Sequence, residues 1–486
     1  YGFEISVRTN FIDDSHAFLS PAATFMYVDG LLKIPADVTV IPHPAWSTVS
    51  TGLEPVPGRP HTFRAADFDI LFDTPIEVGN QDVFTFEAAG VLHEIAMVGG
   101  GNYDKERLKR DCATIVEEAT RIFGSNPNKR YVFIVHNYQS GGGGLEHLNS
   151  TVLGASRYGY ANERSYVGFL GLVAHEYFHL WNVKRLRPRE LGPFDYDTEN
   201  YTKLLWIMEG FTAYFDNLIL RRCGFLSESG YLQALINDIS TVENRAGKDV
   251  QSAAMASFDA WIKYYRPDEN SANTSVSYYN KGALLGMLLD VKILTATGGQ
   301  KRLDDVLRAA YEQFYLKENR GFLLEEFQAL AERIAGVPLN DIFEAAQTTG
   351  PLDYNRYLNA VGYELVDYNA GREVPDLGVS TSASEGKLTI SAVYRGTSAW
   401  ESGINVRDEL IAVNGDRMDP NGRELTRVLE SAAVGDTLKV LIARDGRVRE
   451  LSVKLKKDTK SAFVIRPRAG ATDDQQNLGK IWLSLK

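Results

Sequence analysis

Between about residue 160 and residue 350 the chain reads almost wholly as helix, and on both sides of that block the hydrophobic period drops to two. This change of period limits the fold more than any other feature. A chain that alternates, then turns helically, then alternates again needs separate layers for its separate patterns. Before the block, runs such as "ATFMYVDG", "DVTVIP", "FDILFDTPIEV" and "DVFTFEAAGVLHEIAMV" are punctuated by proline and glycine. They predict an antiparallel, sandwich-like N-terminal β domain over residues 1–100. "YDKERLKRDCATIVEEATRIFG" then switches to helical spacing and stops at Gly124, a suitable C-cap. Further helices are predicted over 163–182, 202–222, 227–243, 276–296, 302–316 and 324–335, so residues 101–365 make a mostly helical domain. Strands return after about 370 in "KLTISAVYRG", "DELIAVNGDRM", "DTLKVLIARDG" and "RELSVKLKK", with turns at Asn414-Gly415 and Asp445-Gly446. That gives a mixed β domain over 366–460, followed by a tail, 461–486, to which the sequence assigns no role. The fold class is multidomain α+β, and three domains suit a chain of 486 residues.

Charge narrows the function. Against 52 lysines and arginines stand 63 acids, 52 − 63 = −11, which is the wrong sign for a nucleic-acid footprint. The same balance modestly favours cationic ligands, free amino termini among them. Two cysteines far apart, Cys112 and Cys223, make no disulfide framework and read as structural bystanders. No apolar run reaches eighteen residues, so no membrane span is expected. The chain opens at Tyr1 rather than methionine, which leaves room for a leader upstream, and the compartment stays open.

The chemistry concentrates in "VAHEYFHLWN". His175 and His179 are the only two of the eight histidines spaced by four, so on a helix both imidazoles leave one face and can grip one ion. Glu176 lies beside them, able to reach a water on that ion without ligating it, which suits metal-assisted hydrolysis. A catalytic zinc site also wants a third protein ligand and an open position. In "LLWIMEGFTAYFDNL" the carboxylate of Glu209 stands in an otherwise apolar run, where burial is costly unless a partner or a metal receives it. Asp216, seven residues on, shares its helix face and is a candidate to accept an N–H from a ligating histidine, with plain solvent exposure the alternative. Arg185 and Arg187, in the long loop after His179, read as surface charges rather than substrate contacts.

HEYFH followed by a helix carrying "WIMEGF" resembles the gluzincin metallopeptidases, and "HEYFHLWNVKRLRP" with its surrounding domains resembles most closely the glycyl aminopeptidase family. The resemblance implies a thermolysin-like catalytic domain, one zinc ion per chain, His175, His179 and Glu209 as its ligands, and Glu176 as general base. It departs from the large zinc aminopeptidases in the 30 positions between His179 and Glu209, a longer gap than theirs, filled by a loop. In similar enzymes the tyrosine that steadies the oxyanion lies in a Tyr-x-Lys-Gly setting, which Tyr279-Asn280-Lys281-Gly282 matches, so Tyr279 takes that role rather than Tyr278. Their Gly-x-Met-Glu-Asn strand floors the cleft, and its glutamate holds the substrate's α-amino group. Gly143-Gly144-Leu145-Glu146-His147 aligns with it, which makes Glu146 the amine anchor and turns "GGGG" into bare floor rather than a linker.

Residues 370–458 resemble a PDZ domain, with Leu377 to Ser380, "LGVS", as the candidate carboxylate loop and an extended peptide as its ligand class, the alternative being a domain that only braces the catalytic module or supports oligomers. Together these readings imply a zinc aminopeptidase removing small N-terminal residues, glycine before alanine, with peptides bearing a free N-terminus as partners. An endopeptidase using the same zinc, or a PDZ-based peptide-binding scaffold, are the alternatives. Oligomeric state is left open.

Overall fold

The computed structural model describes residue 4 and residues 6–485. At its centre lies a five-stranded mixed sheet. Its strands are β1 (Asp82–Ala88), β2 (Val91–Val98), β3 (Arg130–Tyr138), β4 (Gly144–Glu146) and β5 (Ser150–Ser156), in the order β4-β5-β3-β2-β1. β3 pairs in parallel with both β2 and β5, while β4 runs antiparallel to β5 and forms one edge of the sheet. β3 is buried on both faces, which is why "RYVFIVHNY" reads as an unbroken apolar run rather than an alternation. Tyr131, Phe133 and Val135 face the helices, and Val132 and Ile134 face the other way with Val7 and Phe18.

Helix α1 (Lys105–Phe123) begins at Asp104, whose side chain accepts from the Arg107 N–H, and ends at Gly124 in the left-handed region. After the sheet come α2 (Glu163–Phe178), α3 (Leu205–Arg222), α4 (Glu228–Glu243) and α5 (Tyr278–Ala296), all sharing one large core with the sheet. The helix predicted to reach 182 stops at Phe178. The chain turns there, and the Asn182 amide donates to the Ile207 and Met208 carbonyls of α3. The helix predicted over 302–316 is α-helical for Leu303–Ala310 and widens to π turns over Tyr311–Lys317.

The N-terminal region is β-rich and antiparallel, as its period implies. A four-stranded sheet joins Phe11–Ile12, Ala17–Leu19, Ile76–Gly79 and Thr48–Thr51, and a three-stranded one joins Ala36–Thr39, Thr62–Ala65 and Glu54–Pro55. β1 and β2, which alternation placed with these strands, lie instead in the central sheet, because their pairing partner β3 comes from beyond α1. The PDZ-like region has its own core, built on a sheet of Val379–Ser384, Lys387–Val393, Glu409–Val413, Thr437–Arg444 and Arg447–Lys454. Leu377–Ser380 leads into its edge strand.

The last segment is no loose tail. β6 (Tyr363–Asp367) pairs antiparallel with β7 (Phe463–Pro467), so the PDZ-like region leaves and rejoins the catalytic core at one place. Helix α6 (Asp473–Trp482) then seats Trp482 wholly in the large core, its indole donating to the Tyr214 hydroxyl of α3. Burial of an indole of this size anchors α6 to the catalytic core. No helix among the described residues is long and apolar enough to cross a membrane.

Candidate metal centre and peptide cleft

His175 lies in the last turn of α2 and His179 at its C-cap, so their Nε2 atoms stand 3.2 Å apart. Glu209 arrives from α3. A single oxygen, Oε2, lies 3.3 Å from His175 Nε2 and 3.1 Å from His179 Nε2. Each imidazole donates its other N–H outward: His175 Nδ1 to Asp216 Oδ2 at 3.0 Å, and His179 Nδ1 to the Asn182 carbonyl at 2.7 Å. Those contacts fix tautomer and ring orientation, leaving both Nε2 atoms for one ion. Asp216 is thus turned inward and not solvent-exposed, because α3 packs along α2 with that face toward it.

The electrostatics ask for positive charge. Burial alone would lower the His175 pKa, but hydrogen bonds to Asp216 and Glu209 hold it well above its ordinary value. Burial likewise opposes protonation of His179, yet the charges of Glu209 and Glu146 lift it to about 9. Burial would raise the Glu209 carboxyl, and the two histidines hold it far below the usual range instead. Two imidazole nitrogens and one carboxylate oxygen converge with oriented outer partners, a donor set that fits zinc.

Glu176 is buried, and its Oε2 has no hydrogen-bond partner. Burial first, then nearby Glu146 and Glu209 against the pull of both histidines, raise its carboxyl to about 7. It lies so close to the edge strand that a Cβ on Gly144 would sit 2.3 Å from its Oε1. That contact, not slackness, is why position 144 is glycine. Gly141 is equally pressed, a Cβ there falling 2.5 Å from the Ala155 carbonyl. The glycine run therefore lies against the sheet as its edge, and Glu146 sits near the centre, one ligand atom each of Glu146, Glu176 and His179 falling within 4.8 Å of one another.

Tyr279 occupies the first turn of α5, which Ser277 caps by accepting from the Asn280 N–H. Its ring centroid is 6.3 Å from that of His175. Tyr278 is packed in the core, so of the pair Tyr279 faces the cleft. Burial and then the Glu209 charge push its phenol pKa far up, so it stays a protonated donor. A close helix crossing brings Tyr279 and Glu209 together: a Cβ on Gly210 would meet Gly282 Cα at 2.4 Å. The cavity, about 710 Å³, is walled by Gly143, Gly144, His175, Glu176, Tyr265 and Tyr279 among others. The Tyr265 hydroxyl lies 3.2 Å from that of Tyr279. Sequence reading missed Tyr265, which comes from an irregular stretch carrying no period and no motif.

Arg185 is no surface charge. It is buried, donating to the carbonyls of Leu148 and Leu180 and to Asn128 Oδ1, and so braces the turn below the site. Arg187 packs over the Phe194 ring. Cys112 and Cys223 are both free, and burial pushes both thiols up to about 12.

Comparison with known proteins gives three matches to family models. They are the M61 glycyl aminopeptidase model over residues 168–285, the peptidase M61 N-terminal domain over 1–80, and a PDZ domain over 375–455. Among solved structures, the chain resembles an aminopeptidase N family protein from Idiomarina loihiensis at 29% identity and a TM-score of 0.89, covering 100% of this chain and 85% of that one. A looser likeness links it to yeast LTA4 hydrolase, at 15% identity and TM-score 0.47 over 71% of this chain and 52% of that one. Another links it to an M1 zinc metallopeptidase from Deinococcus radiodurans, at 16% identity and 0.45 over 70% of each. Both are too distant to carry weight. None of the curated proteins compared with the chain matches it.

Proposed function

This chain belongs to the M61 peptidases, and we propose that it is a zinc aminopeptidase that removes small N-terminal residues, glycine ahead of alanine, from peptides. One observation carries the reading: a single Glu209 oxygen and two imidazole Nε2 atoms lie within 3.3 Å of one another, with each Nδ1 tied to an outer acceptor. His175, His179 and Glu209 would hold one zinc ion, which when bound supplies an acidified water and a Lewis acid for the carbonyl.

The rest is done by the chain's own groups. Glu176 takes the proton from the attacking water and gives it to the departing amine, a task suited to a buried carboxylate next to His175 and close to His179. Tyr279 donates its hydroxyl to the oxygen on which negative charge develops. The substrate lies as an added strand along the bare edge at Gly143 and Gly144, and Glu146 pairs with its free ammonium. A blocked N-terminus would leave that buried-side carboxylate unpaired, which is what makes the cleft an exopeptidase site. The glycine preference rests on likeness to the M61 model alone. The PDZ-like domain, with its own core, would hold a separate peptide.

A panel of aminoacyl amides turned over by metal-replete and by chelator-stripped protein tests zinc dependence and side-chain preference together. Comparing a free-amine peptide with its N-acetylated twin tests the exopeptidase claim. Equal cleavage of the twins would sink it and favour an endopeptidase.

A further inference from the structure

The stretch from Asp259 to Ser277 carries no sequence period, yet it is firmly held, and it delivers a second hydroxyl to the catalytic end of the cleft. The Ile262 and Lys263 N–H groups donate to the Asp259 carbonyl, and the Tyr265 N–H donates to the Ala260 carbonyl, which winds residues 259–265 into tight turns. Farther along, Arg245 Nε donates to the Ser275 carbonyl. The Asn273 side chain grips the PDZ-like region, donating to the Val393 carbonyl at 2.8 Å and accepting from the Arg395 N–H at 2.9 Å. The aromatic side chains of the stretch are packed as well. The Tyr264 ring stands 5.3 Å from the rings of Tyr265 and Tyr279 and 5.0 Å from that of Tyr278, and Arg8 sets its guanidinium 5.5 Å over the Tyr265 ring.

These ties leave the Tyr265 hydroxyl 3.2 Å from that of Tyr279, and both residues line the cavity that His175 and Glu176 also wall. The Tyr278 hydroxyl interacts with both and belongs to the same cluster. A phenol has one proton to give and lone pairs with which to accept. If Tyr279 gives its proton to Tyr265, none is left for the oxygen on which charge develops. The opposite direction keeps the Tyr279 proton free, and it makes that O–H a stronger donor, since hydrogen bonds in a chain polarise one another. Negative charge on the substrate selects this direction, because both O–H dipoles then point toward it. At 3.2 Å the contact is long for two hydroxyls, and a transition state that draws on the Tyr279 proton shortens it. An interaction that strengthens as charge develops acts on kcat rather than on substrate binding.

We propose that Tyr265 is a positioning residue: its hydroxyl donates to the Tyr279 oxygen and so holds the Tyr279 proton toward the developing oxyanion. This rests on Tyr279 being the oxyanion donor, and it adds to that role a group brought in by an irregular loop.

Tyr265→Phe keeps the ring, with its Arg8 and Tyr264 contacts, and removes only the hydroxyl. With zinc-loaded protein and a glycine-initiated tripeptide, kcat falls about three- to tenfold while KM stays nearly unchanged. In a Tyr279→Phe background the same change has no further effect, because the group it acts through is gone. Calorimetry gives a readout without turnover. The phosphinic isostere of glycylglycine, whose tetrahedral oxygens stand where the oxyanion forms, binds the Tyr265→Phe protein more weakly by a similar factor, whereas the product glycine binds as before. Unchanged kcat in Tyr265→Phe overturns the proposal. So does a loss that persists in the Tyr279→Phe background, which puts Tyr265 on the substrate itself, or a rise in KM together with weaker glycine binding, which makes it only a wall of the cleft. Tyr279→Phe alone separates the two levels. If it loses activity while Tyr265→Phe does not, Tyr265 alone is misassigned; if it is fully active, the oxyanion role of Tyr279 falls and that of Tyr265 with it.

Discussion

Two clusters in this molecule have the same composition, two histidines and a glutamate, and only one is built like a metal site. At His175, His179 and Glu209 one carboxylate oxygen serves both imidazoles, so three ligand atoms crowd a single point. At His16, His136 and Glu77 the carboxylate is divided: Oε1 accepts from His16 Nδ1 at 2.8 Å and Oε2 from His136 Nε2 at 2.9 Å. The outer contacts differ as well. Both histidines of the first cluster send their second N–H to an acceptor, whereas His136 Nδ1 is buried with no partner. A ligated His136 would leave a buried N–H unsatisfied, which a metal site avoids. The second cluster is a hydrogen-bonded lock between the N-terminal strands and β3. Composition and proximity are thus not enough, since what separates the two is where the second nitrogen and the second oxygen point.

Glu209→Ala probes the contrast most strongly. It is expected to remove bound zinc and to lower kcat/KM by at least about a thousandfold, and Glu176→Gln to lower activity comparably with zinc retained. Metal analysis should find one equivalent per wild-type chain. Two equivalents, one of them lost in Glu77→Gln, would erase the distinction between the clusters. The lock has its own signature in stability. Glu77→Gln keeps zinc but costs about 3 kcal/mol by leaving an imidazole badly paired in the interior, read as a fall in the first thermal transition.

Asp216→Asn acts on the outer contact of the first cluster. Zinc affinity should weaken about 10- to 100-fold in a chelator competition, with the fold unchanged by circular dichroism. Unaltered affinity would mean the His175–Asp216 contact is only packing.

The smallest effect is a pH dependence of the lock. Burial disfavours charge on His16, but its hydrogen bond to Glu77, the Glu77 charge and Asp13 raise its pKa above 6.5 in the folded chain. A group with a raised folded pKa stabilises fully below its unfolded value and loses that contribution as pH climbs through the folded one. Thermal stability should therefore decline by about a degree or two as pH rises from 6.5 toward the folded pKa, and His16→Gln should flatten that slope. An identical slope in the variant would place the titration elsewhere.

Much of the first cluster was legible because its geometry is local. Histidines four apart share a helix face whatever surrounds them, and a lone carboxylate in "WIMEGF" announces a buried partner. Asp216 was a candidate from its seven-residue spacing, but exposure could be settled only by the way α2 packs on α3. The lock had no such signal, since His16 comes from the loop before Ala17–Leu19 and Glu77 and His136 come from two separate strands. Arg185 read as a surface charge because a loop sequence does not say which carbonyls will lie beneath it. The end of the chain was opaque for a similar reason, as the socket for Trp482 is made by helices hundreds of residues earlier.

The amino-acid order determined the element types, the paired imidazoles and their glutamate, and the glycines where a Cβ would collide, because each depends on neighbours within a few turns. Tertiary structure alone decided that β1 and β2 join the central sheet and that the final helix closes the catalytic core. Those arrangements depend on contacts between residues far apart in the chain, and nothing in local spacing encodes which distant surface a side chain will meet.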